Sequence, residues 1–145
     1  MKKLGALFLI LNIFLVSCSH QNPEEQKKYL NGYWEIEKVT VSPDSTITYK
    51  VNQNIDYIEL KGDKGTRTKV RPQLDGGFKS SKVSEKLTLK IENDSLRLYY
   101  KTPYDSWKET VLNASKESFS IRAKNGNIYY YKKFKPLIIE KNEAE

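Results

Sequence analysis

The side chains whose types and spacing could do chemistry here are a run of basic residues and four scattered carboxylates. Arg67, Lys69 and Arg71 alternate along one predicted strand, so a period of two puts them on one face, with Lys61 and Lys64 in the turn before it. Such a stripe would hold an anion: a headgroup, a polyanionic glycan or an acidic protein. The plainer reading is a strand edge kept soluble by like charge. Glu35 and Glu37 share a face of an earlier strand, and Glu59 and Glu109 lie on others. Paired carboxylates can act as acid and base, or can simply pair with Lys and Arg across a solvated sheet. Ser-His and Cys-His nucleophiles are excluded from the domain, because the one histidine is His20 and the one cysteine is Cys18. Zinc would be left with carboxylates alone, and no glycine-rich phosphate loop joins a strand to a helix. The chain therefore reads as a non-enzyme without metal or cofactor.

The aromatic residues are the other chemical resource. All ten tyrosines and both tryptophans follow residue 17. Ile36, Tyr57, Leu89, Leu98, Tyr100, Trp107, Phe119 and Tyr130 are the candidates to line a cavity for a small apolar or amphipathic molecule. The same residues would equally serve as the core itself. Tyr104 and Trp107 flank a proline turn and would also suit an exposed recognition patch.

At 145 residues the chain is sized for one domain. Lys2 and Lys3 precede an apolar run from Leu4 to Val16, the length of an export signal and too short to span a bilayer. It closes on Leu15-Val16-Ser17-Cys18, which resembles the lipobox of bacterial lipoproteins. That resemblance implies cleavage before Cys18 and a lipidated cysteine that ties the protein to a membrane. Ser19 is not the aspartate of inner-membrane-retained lipoproteins, so the outer membrane is the implied address. Gln21-Asn22-Pro23-Glu24-Glu25 is similar to an acidic surface-export signal, and it also fits a solvated tether. Without the leader, 23 basic residues face 18 acidic ones, a net charge of +5. Nucleic acid is disfavoured as a partner by compartment, and a monomer is expected. The expected division is a signal peptide (1–17), a lipidated flexible tether (18–29), a folded domain (30–136) and a charged tail (137–145).

The elements that must position these residues are strands. Leu87, Leu89 and Ile91 alternate with polar residues, Asn93-Asp94 turns the chain, and Leu96, Leu98 and Tyr100 alternate on the way back. Asn125-Gly126 marks a second hairpin before Ile128–Phe134, and further strands are expected over Tyr33–Val41, Thr46–Val51, Asp56–Lys61, Thr66–Val70 and Asp105–Asn113. Pro72–Ser84 has few large apolar residues and reads as a mobile loop or edge. No sustained helical period appears; Pro23–Leu30 allows a turn or two. Eight to ten antiparallel strands, rich in rings and poor in aliphatics, favour an all-β, closed up-and-down barrel with little helix.

Gly32-Tyr33-Trp34 opens the first strand and resembles the Gly-x-Trp signature of lipocalins, and more closely that of the short lipocalin-like domains of bacterial lipoproteins. Tyr129-Tyr130-Tyr131-Lys132-Lys133-Phe134 is similar to the last strand of those domains. The resemblance implies that Gly32 and Trp34 close one end of a barrel, and that a basic residue stacks on the tryptophan, with Arg122, Lys132 and Lys133 as candidates. It implies a small apolar or amphipathic ligand at the open end. The alternative is an immunity or inhibitor lipoprotein that binds an envelope protein through the basic stripe.

Overall fold

A computed structural model describes residues 21–136 of the protein; Cys18, the leader and residues 137–145 lie outside the described residues. One short helix, α1 (Pro23–Lys27), precedes nine strands: β1 (Gly32–Ser42), β2 (Ser45–Thr48), β3 (Ile55–Lys61), β4 (Lys64–Pro72), β5 (Phe78–Glu92), β6 (Ser95–Lys101), β7 (Ser106–Ala114), β8 (Ser118–Arg122) and β9 (Ile128–Lys133). Strands β3 to β9 pair antiparallel in chain order, and β1 pairs with both β3 and β9. The sheet thereby closes into an eight-stranded up-and-down barrel, and β2 folds back on the far half of β1 outside that ring. Closure gives each of the eight ring strands a neighbour on both sides over the ring itself, which is how a chain with few aliphatics limits sticky edges.

Alternation decides which side chains fill the barrel. Leu87, Leu89, Leu96, Leu98 and Tyr100 are all buried, matched across β5 and β6 as Leu87 with Tyr100 and Leu89 with Leu98. Asn93 and Asp94 turn this hairpin with φ of 50° and 55°, the left-handed pair that a two-residue turn between twisted strands requires. Val111, Phe119, Ile121 and Tyr131 continue the buried face around β7, β8 and β9.

Trp34 closes one end. It is fully buried, its indole N–H donates to the Leu30 carbonyl at 2.8 Å, and the Phe119 ring meets it edge-on with centroids 4.8 Å apart. The Lys133 ammonium sits 4.3 Å above the indole and donates to the Asn31 carbonyl at 2.9 Å. Burial lowers the pKa of Lys133, and the Glu117 carboxylate partly offsets this. Gly32 has φ +122°, and a Cβ there would run into the Lys133 ammonium. Glycine at this position thus serves both the bend into β1 and the space for the cation.

The segment expected as part of a flexible tether is folded from Gln21 onward. The Asn22 side chain accepts from the Glu24 N–H at 2.9 Å and caps α1, with Pro23 in the first turn. Gln21 exchanges two hydrogen bonds with the backbone of Ala114, and buried Gln26 reaches the Leu112 carbonyl. Two glutamines therefore fasten α1 across the closed end. Of the two readings of Pro72–Ser84, loop or edge, the structure gives the edge from Phe78 onward: it is the first half of β5, paired with β4 alone as Phe78 to Pro72, Lys79 to Arg71 and Ser80 to Val70.

Candidate functional site

Above the tryptophan plug the barrel interior turns from apolar to charged. Trp34 lies opposite Asp56 on β3, and Asp56 lies opposite Lys69 on β4, so both continue the inward face. Ile58 pairs with Arg67, and Arg67 with Glu85 on β5; Leu98 pairs with Glu109 on β7. Five charges from four strands are thus aimed into one half of the barrel.

Arg67 organises them. Its side chain is only 12 % exposed, Nε donates to Glu85 at 2.5 Å, and a terminal nitrogen lies 3.6 Å from Glu109. Its guanidinium lies 4.1 Å from the centroid of the Tyr100 ring, and Tyr100 stacks on Trp107 at 5.2 Å. Burial alone would lower the Arg67 pKa; Tyr100, Glu85, Tyr131 and Asp56 outweigh it and raise it. Lys69 Nζ approaches Asp56 Oδ1 at 2.6 Å; Lys69 is half exposed, whereas the Asp56 side chain is buried. Burial raises the pKa of Glu109, against the attraction of Arg67 and nearby Tyr100 and Trp107 donors. Burial likewise pushes the Tyr100 and Tyr131 hydroxyls well above their ordinary value.

Two of these carboxylate oxygens, Asp56 Oδ1 and Glu109 Oε2, are buried without a hydrogen bond of good geometry, although each has a cation near it. A charge contact without directional bonds leaves part of the desolvation cost uncompensated. The cluster holds three carboxylates against two cations. It meets solvent through Lys69 and Glu85, beside half-buried Trp107.

The residues expected to line a cavity divide. Leu89, Leu98, Tyr100 and Phe119 are buried inside the barrel, and Ile36 and Trp107 are partly buried against that core. Tyr57 and Tyr130 point outward. Tyr57 lies opposite Tyr33 and their rings stack at 4.4 Å; Tyr130 lies opposite outward Lys38, whose ammonium is 4.6 Å from its ring. Tyr129 and Tyr131 take the inward positions instead. The basic stripe does not exist as a continuous surface. Arg67 and Lys69 face inward, Arg71 lies beyond the barrel rim, and Lys61 and Lys64 pair across the exposed β3–β4 turn at the closed end. Of the carboxylates, Glu109 joins the interior cluster, whereas Glu35 stays on the outer wall with Lys132 at 3.5 Å. The β1 bulge between Ile36 and Lys38 breaks the face that Glu35 and Glu37 would share. Lys133 is the basic residue on the plug tryptophan. Glu85 is not singled out by the sequence, where its inward placement has no local signal. Among the described residues no group of three or more potential ligands lies close enough to hold a metal ion.

Comparison with known proteins places this geometry. The sequence profile described as "Lipocalin-like domain" matches residues 30–121. Among solved structures, a lipocalin-like protein from Bacteroides uniformis is similar at 13 % identity and a TM-score of 0.46, over 72 % of this chain and 98 % of that one. An uncharacterized protein from Bacteroides eggerthii is similar at 11 % identity with the same TM-score and coverage. No curated protein matches the chain.

Proposed function

Because the chain belongs to the lipocalin-like domain family, we propose that it is a non-catalytic binding protein of the bacterial envelope that takes a small amphipathic molecule into the open half of its barrel. The observation that carries this reading is the interior cluster around Arg67. Its carboxylates outnumber its cations, and two of its buried oxygens have a cation nearby but no hydrogen bond of good geometry. An ammonium or hydroxyl headgroup would add directional hydrogen bonds to these oxygens, each worth about 1.5–3 kcal/mol where a charged group is involved. The Tyr100–Trp107 stack would carry the apolar part of the ligand. The ligand is therefore a donor-bearing amphiphile, neutral or cationic.

The anchor in this proposal is lipidated Cys18 at the outer membrane. Gln21 is fastened to Ala114 at the closed end, and three residues span at most about 11 Å. The lipid would thus sit by the plug, with the open half turned away from the bilayer.

NMR of the two indole N–H groups tests the binding site, with dodecylamine, dodecanol and dodecanoate as probes below their micellar concentrations. Dodecylamine and dodecanol should move the Trp107 resonance and leave Trp34, locked to Leu30, in place. Glu109→Gln and Asp56→Asn should weaken the response. A Trp107 signal indifferent to both donor-bearing probes sinks the proposal.

A further inference from the structure

A well-formed open space lies outside the barrel. The β4–β5 hairpin bends away from the ring at a β5 bulge, where Thr68 faces Ser84 but Val70 faces Ser80. Its tip folds back so that the Phe78 ring stacks on outward Tyr33 at 4.2 Å and meets Phe134 edge-on. Between this flap, the β2–β3 loop and the outer wall of β1 and β9 lies a cleft of about 600 Å³, within the ~300–1,000 Å³ typical of small-molecule sites.

Both lips are built rather than loose. Asn52 donates to the Ile36 carbonyl at 2.8 Å and to Glu35, which pins the β2–β3 loop to β1. The flap tip is closed by Gln73 N–H to the Gly77 carbonyl at 2.8 Å and by Gly77 N–H to the Asp75 carboxylate. Each lip nonetheless holds a large apolar side chain out in water: Val51 is 84 % and Leu74 91 % exposed. The cations are equally distinctive. Lys132 pairs with Glu35 and Lys135 with Glu117, whereas Lys50 and Arg71 have no carboxylate partner among the described residues.

We propose that this cleft is a second binding site, for a single-chain amphipathic anion. Its headgroup would pair with Arg71 and Lys50, and its chain would lie between Leu74, Val51 and the Phe78–Phe134 edge. The match is one of charge and shape together. Two unpaired cations sit beside apolar lips, and covering Leu74 and Val51 removes apolar surface from water. The chemistry is opposite to that of the barrel interior, where carboxylates exceed cations, so the two sites select different headgroups.

Calorimetric titration of the protein with dodecanoate, dodecanol and dodecylamine, all below their micellar concentrations, tests the site. Dodecanoate should bind, and Arg71→Gln should weaken it by about tenfold, the worth of one charge-assisted hydrogen bond. Leu74→Asp, a change at a solvent-exposed tip that the barrel does not depend on, should weaken it at least as much. Lys64→Gln, at the exposed β3–β4 turn away from the cleft lining, should leave dodecanoate affinity unchanged. The proposal fails if dodecanoate produces no binding, or if it binds equally to the Arg71 and Leu74 variants. It also fails if only a chain shortened after Pro136 binds dodecanoate, because residues 137–145 would then be the occupant.

Discussion

Arg67→Met is the sharpest perturbation of the barrel interior. It removes the one cation that touches both Glu85 and Glu109 and that covers the face of Tyr100. Breaking a buried ion pair from one side costs about 3–5 kcal/mol, because the partner charge is left buried and unpaired. Two features of the site pull the figure to the low end of that range. Glu85 is about a quarter exposed, so water reaches part of it, and Glu109 already holds its proton more readily than an ordinary carboxyl. A loss of about 3 kcal/mol at pH 7 is the expected value. With a urea m-value of about 1.5 kcal/mol per molar, the unfolding midpoint should fall by about 2 M. Methionine keeps most of the side-chain volume, so cavity formation contributes little. Urea unfolding followed by tryptophan emission reads the midpoint. The combined variant Arg67→Met, Glu109→Gln should recover at least about 1 kcal/mol relative to additivity, since one stranded charge is gone. A midpoint within about 0.5 M of the parent, together with additive single effects, would show that the cluster does not hold the upper barrel and would refute the reasoning.

Glu109→Gln carries a pH signature. A carboxyl whose pKa is raised by burial binds protons more tightly in the folded state, so its contribution to stability declines as pH climbs above the ordinary value of 4.5. The parent should therefore lose stability relative to the glutamine variant across that window, and a flat difference between pH 4 and pH 7 would contradict the assignment. Gly32→Ala combines a left-handed φ with displacement of the Lys133 ammonium from Trp34. It should cost about 1–3 kcal/mol in the same urea assay, and a neutral result would mean that neither contact matters. Gln21→Ala removes both bonds to Ala114. The Ala114 amide should lose its protection in hydrogen exchange while amides in β5 and β6 keep theirs, and unchanged Ala114 protection would count against α1 as a structural cap.

Much of the barrel was legible because its strands announce themselves through side chains on one face. Leu87 to Ile91 and Leu96 to Tyr100 alternate cleanly, and Asn93-Asp94 supplies the only turn chemistry that fits between them. The Gly32–Trp34 plug was visible for a similar reason, as small and large residues at a fixed offset. The site was not. On β4 the usual pattern is inverted: Arg67 and Lys69 reach inward to carboxylates while the uncharged Thr66 and Thr68 take the opposite face. A rule that sends charge to solvent must misplace them. Their partners Asp56, Glu85 and Glu109 come from three other strands, so no local spacing shows that the charges meet. Three consecutive tyrosines on β9 give no periodicity from which to choose, and the bulge after Ile36 shifts the register on the neighbouring strand. The outer half of β5 has no apolar alternation because Lys79–Ser84 is exposed on both faces; Lys79, Ser80 and Ser84 are held by pairing to β4 around the bulge. Helix α1 is the turn or two that Pro23–Leu30 allows; at five residues it is too short for an amphipathic period to show which face it buries.

The most direct test of a binding role for the barrel is a crystal structure of the protein grown with dodecylamine. The expected result is an ammonium within hydrogen-bond distance of Asp56 Oδ1 or Glu109 Oε2, with its chain against the Tyr100–Trp107 stack. An interior still closed by its own side chains, with the amine bound elsewhere or not at all, would contradict it.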